Sequence, residues 1–373
     1  MEAKTFMEIL GSEYYTGVPD SLLRPLCDCI MEKYGTDPTH HIIAANEGNA
    51  VAIAAGYHLA TGKTAVVYMQ NSGEGNIINP LASLLNEKVY GISAIFVIGW
   101  RGEPGVHDEP QHIFQGEVTL KLLETMDVPY FVVNQETSEA ELRMKMEEYG
   151  EFLNSGRQIA IVIKKNALTN DKKLIYENDK SLTREEAIRT IVKYACDDLI
   201  ICTTGKASRE LYEIRNQEGM THDHDFLTVG SMGHASSIAL GIAIQKPDKR
   251  IWCIDGDGAA LMHMGAMAVI GTVSPDNLIH IVINNGAHES VGGMTTAASR
   301  LSLCEVAERC GYKKTICIDS NDKLEDYLSM EINSKESVFI EIKTNIKSRD
   351  ELGRPKECPR ENKKIFMSLL ENE

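Results

Sequence analysis

Two carboxylates and an amide pair carry the chemistry that this sequence could do. The run RIWCIDGDG, from Arg250 to Gly258, sets Asp257 between two glycines, and the later run LIHIVINN ends in Asn284 and Asn285. A carboxylate and an amide oxygen together suit a hard cation such as Mg²⁺, which prefers oxygen ligands and shares its shell with phosphate oxygens and water. The second carboxylate is Glu47 in NEGNAVAIAAGYHLATGK, where it follows the apolar run HIIAA and enters a small-residue stretch. A carboxyl group there can be partly buried and acquire a useful proton affinity. Each residue also has a local reading. Asp257 could simply be a turn aspartate and Glu47 a glutamate complementing a helix dipole.

These residues need a sheet to hold them. RIWCID reads as a buried strand that stops at Gly256, Asp257 and Gly258, and Ala259 to Ile270 reads as the helix that follows. Pro275, Asp276 and Asn277 mark the loop before the strand LIHIVI. Ligands of open α/β sheets bind at the carboxyl ends of parallel strands, so Asp257 and Asn285 are expected on one rim. Two glycine-containing loops precede them, TTGKASRE from Thr203 to Glu210 and VGSMGHASSIALGIAI from Val229 to Ile244. Gly230 to Gly233 should lead into a helix amino terminus that can approach an anion such as a diphosphate, although either loop also reads as an ordinary turn.

Strands are expected in the first half at 41–45, 64–70, 93–100, 129–133 and 158–164. In the second half they are expected at 197–204, 225–229, 250–255, 278–284, 314–319 and 337–342. Helical stretches between them, such as 120–126 and 139–149, complete an α/β pattern with mainly parallel sheets. The polar run NALTNDKKLIYENDKSLT looks like a linker, and Thr183 with Glu186 forms a capping-box pattern that should start the next domain. The expected organisation is a domain over 1–166, a linker over 167–182 and a domain over 183–373.

The length of 373 residues with 43% hydrophobic content supports two cores, and no apolar run reaches membrane-spanning length. The start MEAKTFMEIL lacks the pattern of a secretory signal, and nine scattered cysteines show no pairing framework, so a reducing, cytoplasmic setting is expected. With 38 Lys plus Arg against 54 Asp plus Glu, the net charge of −16 argues against nucleic acid and anionic membranes as partners. It leaves a small anionic substrate open, because a few basic groups in a cleft can outweigh distant charge.

NEGNAVAIAAGYHLATGK in the first half, followed by GDG, a helix, a strand and NN in the second, resembles the thiamine diphosphate-dependent decarboxylase family. The resemblance implies two three-layer α/β/α domains of the thiamine diphosphate-binding fold, a pyrimidine-binding one first and a diphosphate-binding one second. No third domain lies between them. It implies thiamine diphosphate and Mg²⁺ as cofactors. Asp257 and Asn285 would ligate the metal by side chain and Ala287 by its carbonyl, while Gly258, Ala259 and Asn285 would line the diphosphate. Met232 would hold the cofactor bent, the Gly230 carbonyl would accept a hydrogen bond from the aminopyrimidine, and Glu47 would activate that ring.

The short linker, GVPDS (17–21), GWRGEPGVHDEPQH (99–112) and NNGAHESVGG (284–293) resemble the members that act on small anionic 2-oxo acids, 3-phosphonopyruvate first and sulfopyruvate second. Glu289 stands where Asp is usual in those members, and Met294–Thr296 where Gln-Pro-Thr is usual. By the same resemblance, Asp20, His112 and His288 are candidate proton carriers. Arg101, Ser21, Lys206 and Arg209 are candidate substrate contacts, Arg being suited to bidentate recognition of an anion. The family's cofactor lies between the first domain of one subunit and the second domain of another, so self-association into a homodimer or larger assembly is implied. Two other classes fit the residues less well. A nucleotide-binding oxidoreductase lacks its GxGxxG, since GEGNII at Gly73 ends in Ile, and a non-catalytic module would have no need of Glu47, Asp257 and Asn285 together.

Overall fold

The computed structural model describes residues 1–331, 335–349 and 351–372. The chain forms two compact units, Met1–Ile175 and Tyr176–Glu373, each built on a six-stranded parallel sheet.

In the first unit the strands are β1 (Tyr15–Gly17), β2 (His41–Ile43), β3 (Ala65–Gln70), β4 (Ala94–Gly99), β5 (Tyr130–Val133) and β6 (Gln158–Ile163). Their spatial order is β2-β1-β3-β4-β6-β5. β4 and β6 are buried at every residue, which is why Ala94–Ile98 and Ile159–Ile163 are unbroken apolar runs: both faces of the sheet are covered. Ala50, Val51, Ala54 and Ala55 of the Glu47–Thr61 helix pack on this sheet with Val67, Met69, Phe96 and Ile98. The stretch after β6 is tied back to this unit, because the Met1 ammonium donates to the Ala167 carbonyl at 2.9 Å and Ala3 N–H to the Thr169 carbonyl at 2.8 Å.

In the second unit come β7 (Leu199–Cys202), β8 (Asp225–Leu227), β9 (Ile251–Gly256), β10 (Leu278–Asn284), the short pair β11 (Ala287–His288) and β12 (Met294–Thr295), then β13 (Lys314–Ile318) and β14 (Val338–Lys343). The large sheet runs β13-β14-β10-β9-β7-β8. Ile283 of β10 pairs with Gly256 of β9, so Asp257 and the second asparagine of the pair leave the sheet at the same edge. The helix Arg184–Ala195 opens with the capping box expected of Thr183 and Glu186. Its apolar face, with Ile188 and Ile191, joins Trp252, Ile281 and Ile340 in the core.

Three local expectations change. β1 is an additional strand, only three residues long and without an apolar run to announce it. The helix expected over Ala259–Ile270 is two helices, Asp257–Met262 and Gly265–Val273, broken at His263 (φ −131, ψ 49), whose ring lies 4.3 Å from that of His234. Helical propensity runs through this point, but the ring contact comes from another segment. The loop expected over Thr203–Glu210 is shorter, since a helix already begins at Lys206. All nine cysteines are free, and no helix among the described residues is long and apolar enough to cross a membrane.

Candidate active site

In the second unit β9 passes into a helix with no loop between them, so Asp257 is the first helical residue and is 4% exposed. Thr296 Oγ1 donates to Asp257 Oδ2 at 2.5 Å. Burial pushes the Asp257 carboxyl up to about 6 against the pull of that bond and of nearby backbone N–H groups. A carboxylate so stripped of water is better accommodated beside a cation.

The two asparagines face different ways. Asn284 turns inward, donating to Glu341 Oε1 at 2.7 Å and accepting from Gly286 N–H at 2.9 Å. Asn285 presents Oδ1 to the Ala287 N–H at 3.0 Å and Nδ2 to Glu289 Oε2 at 3.1 Å. Thr296 links the two halves of the arrangement, because its N–H donates to the Gly286 carbonyl at 2.9 Å while its hydroxyl holds Asp257. Asp257, Asn285 and the Ala287 backbone are thus gathered on one rim, and this oxygen-rich set fits Mg²⁺.

Gly258, in the first turn of the Asp257–Met262 helix, lies against Met232 and His288. A methyl group there would stand 3.3 Å from Met232 Cε and 3.4 Å from the His288 ring, so Met232, Gly258 and His288 line one place. Ala259 beside it is buried, and Gly230 is half-buried just before Ser231, which takes the left-handed backbone (φ 54). Close backbone approach next to a helix amino terminus suits a diphosphate. Burial pushes the His288 imidazole down to about 4, so it is neutral at pH 7.

Behind the turn lies a polar column. Asp255 Oδ1 accepts from Gly256 N–H at 2.9 Å, its Oδ2 is 3.8 Å from His280 Nε2, and His280 Nδ1 lies 2.8 Å from the Tyr312 hydroxyl.

A buried charge network supports the asparagine end. Arg184 binds Glu210 through two contacts of 2.6 and 2.7 Å and Glu289 through one of 2.5 Å, while Lys206 reaches Glu289 at 3.0 Å and Ser348 at 2.5 Å. Burial alone would raise the Glu289 carboxyl, but Arg184 and Lys206 hold it below the usual range. Lys206 is therefore committed within the protein; Arg209 is half-buried on the same helix. Sequence reasoning passed over Arg184, Glu210 and Thr296 as partners. The available signal was the unusual Glu289 and Met294–Thr296.

In the first unit Glu47 begins its helix behind Asn46, whose side chain accepts from Asn49 N–H at 2.9 Å. Glu47 is 4% exposed, and Asn76 Nδ2 donates to its Oε2 at 2.7 Å. Gly73 makes room for it, since a methyl there would fall 2.5 Å from Glu47 Oε1. Next to that glycine Glu74 is buried. Desolvation pushes its carboxyl up to about 8, although Thr119 and Gln115 hydrogen-bond to it.

Asp20 is fully buried, accepting from Gln70 Nε2 at 2.6 Å and from the N–H groups of Leu22 and Leu23. Burial raises its carboxyl above the usual range despite these bonds and the nearby Arg101. Arg101 is clamped by Asp108 at 2.8 and 2.5 Å, and its Nη1 reaches the exposed Ser21 hydroxyl at 3.4 Å. His112 is half-buried on the helix Pro110–Thr125, and burial together with Arg101 lowers its imidazole. The loop after β4 thus brings Arg101 to bear on Asp20, Ser21 and His112 within one unit.

Similarity to known proteins covers both units. Residues 4–126 match the N-terminal TPP binding domain of thiamine pyrophosphate enzymes, and residues 203–342 match their C-terminal TPP binding domain. Phosphonopyruvate decarboxylase of Streptomyces viridochromogenes is 34% identical over 97% of this chain and 92% of its own length. That of Streptomyces hygroscopicus is 33% identical over 96% and 90%. Sulfopyruvate decarboxylase of Methanosarcina acetivorans is 30% identical over 85% and 83%. With both cofactor-binding domains present and no domain between them, the chain belongs to the thiamine pyrophosphate enzymes, among the 2-oxo acid decarboxylases.

Proposed function

We propose that this enzyme uses thiamine diphosphate and Mg²⁺ to decarboxylate 3-phosphonopyruvate to phosphonoacetaldehyde and CO₂, a step in 2-aminoethylphosphonate biosynthesis. The observation that carries the substrate is the likeness, across nearly the whole chain, to two phosphonopyruvate decarboxylases. Sulfopyruvate is the second reading, favoured by the likeness to the Methanosarcina protein.

When bound, thiamine diphosphate supplies a nucleophilic carbon and an electron-accepting ring. Asp257, Asn285 and the Ala287 carbonyl would hold Mg²⁺, and Gly258 and Ala259 would let the diphosphate approach the backbone. Met232 would support the bend of the cofactor, with the Gly230 carbonyl on its aminopyrimidine. Glu47 would exchange a proton with that ring through Oε1, its other oxygen being held by Asn76. Asp20, whose carboxyl burial biases toward the protonated form, would be the first candidate to hand on a proton; His112 and His288, both biased toward the neutral form, are its competitors. Self-association into at least a homodimer belongs to this reading, with the two halves of each site drawn from different subunits. A monomer fully active on dilution would contradict it.

The test is turnover of phosphonopyruvate, sulfopyruvate and pyruvate side by side by the Mg²⁺- and thiamine diphosphate-loaded enzyme. Phosphonopyruvate is expected to show the highest kcat/KM. A higher value for either of the others would overturn the substrate.

A further inference from the structure

The first unit contains a cleft of about 440 Å³, within the size range of small-molecule sites. Its walls come from residues 21–28, 100–108 and 165–173, the segments that follow β1, β4 and β6. This is the carboxyl edge of the sheet, where α/β folds bind ligands.

The lining brings together Arg24, Arg101, Lys165, Lys172 and Lys173, against the carboxylates of Asp28, Glu103 and Asp108. The carboxylates are already engaged. Asp28 lies 3.4 Å from Arg24, Asp108 clamps Arg101, and Glu103 is held at 2.5 Å by Lys164, which does not line the cleft. Lys172 pairs with Glu32 outside it. Lys165 and Lys173 are exposed and form neither an ion pair nor a hydrogen bond with the described residues; Lys173 acts on Asp28 only through space. In a protein of net charge −16, the cleft therefore keeps uncompensated positive charge beside Ser21 and the buried Asp20.

We propose that this cleft receives the tetrahedral dianionic end of the substrate, with Lys165 and Lys173 as its uncommitted charges and Arg101 with Ser21 as its contacts nearest Asp20. The inference rests on the decarboxylase reading above and adds what selects the anion. A phosphonate with two charges gains about twice the Coulomb attraction of a sulfonate with one. The discrimination that shape cannot supply between two tetrahedral groups then comes from charge.

The experiment is calorimetric titration of the Mg²⁺- and thiamine diphosphate-loaded enzyme with methylphosphonate and with methanesulfonate, at a pH where the phosphonate is dianionic. Wild type is compared with the double variant Lys165→Met/Lys173→Met and its Lys→Arg counterpart. Exposed cations contribute a factor of up to about five each, so the methionine variant should bind methylphosphonate about tenfold more weakly and the arginine variant like wild type. Methylphosphonate should bind wild type more tightly than methanesulfonate, and this preference should shrink in high salt. Equal affinity of wild type and the methionine variant, or equal affinity for the two anions, would overturn the proposal. Because binding is read without turnover, failure of the cleft is distinguishable from failure of the decarboxylase reading, which shows as no turnover of any 2-oxo acid.

Discussion

Glu47 and Asp257 occupy the same slot in two different units. Each is the first residue of a helix at the carboxyl edge of a parallel sheet, and each is 4% exposed. Their surroundings differ. Glu47 has an amide donor on one oxygen and a glycine gap at the other, with Asn46 capping its helix independently. Asp257 has no side-chain cap before it, a hydroxyl donor, and a neighbouring rim of amide and carbonyl oxygens. The slot supplies a desolvated carboxylate, and the second partner decides its use. An open glycine gap suits exchange of a proton, and a ring of oxygens suits a cation.

That contrast can be broken most forcefully at the carboxylates themselves. Glu47→Gln should lower kcat by about 10²–10⁴-fold, the range for loss of a positioned acid or base, while thiamine diphosphate titration shows nearly unchanged affinity. Wild-type turnover in this variant would remove Glu47 from the chemistry. Asp257→Ala should behave in the opposite way. Mg²⁺ and thiamine diphosphate affinities should fall together by more than about 100-fold, since even outer partners of metal ligands are worth 10–100-fold. Unchanged Mg²⁺ affinity would sink the metal assignment.

The glycines sharpen the comparison. Gly73→Ala forces a methyl into the Glu47 carboxylate at 2.5 Å and should destabilise the protein by about 1–3 kcal/mol in urea unfolding, with kcat reduced and Mg²⁺ affinity intact. Gly258→Ala meets Met232 Cε only at 3.3 Å, the end of a flexible side chain, so its stability loss should be less than about 1 kcal/mol and its effect should fall on cofactor affinity. Equal stability losses would mean that the two gaps are not different.

A pH-dependent effect lies beside Glu47. Burial raises the Glu74 carboxyl from 4.5 to about 8, so its contribution to stability is full below pH 4.5 and drains away as pH rises toward 8. Across that window this one group removes about 1.4 kcal/mol of stability per pH unit, and Glu74→Gln should flatten the slope by that amount in urea unfolding followed against pH. A slope that survives the substitution would assign it elsewhere.

Much of the fold was legible because buried parallel strands are apolar runs, and the alternation with helices makes βαβ units plain. Asp257, Asn285 and Glu47 were legible because each lies directly after such a run. What escaped lies far along the chain or depends on context. Thr296 and Asp257 are 39 positions apart, and no periodicity predicts that one hydroxyl will turn toward one carboxylate. β1 is too short for its pattern to register, and the break at His263 coincides with a ring contact from another segment that propensity cannot foresee. The polar stretch after β6 carries the charge density of a linker, and within it Ala167 and Leu168 are buried while Lys172 and Lys173 line a cleft. Charge density alone does not separate a spacer from a ligand wall.

The Arg184–Glu289 contact closes a loop of 105 positions between the start of the second unit's first helix and the segment that carries Asn285. Whatever settles Asn285 must also settle Glu289, and through it the first turn of that helix. Loading of the metal site should therefore be recorded two hydrogen bonds away, as slower amide hydrogen exchange in the turn after Thr183, so that the helix reports occupancy of a site it does not touch.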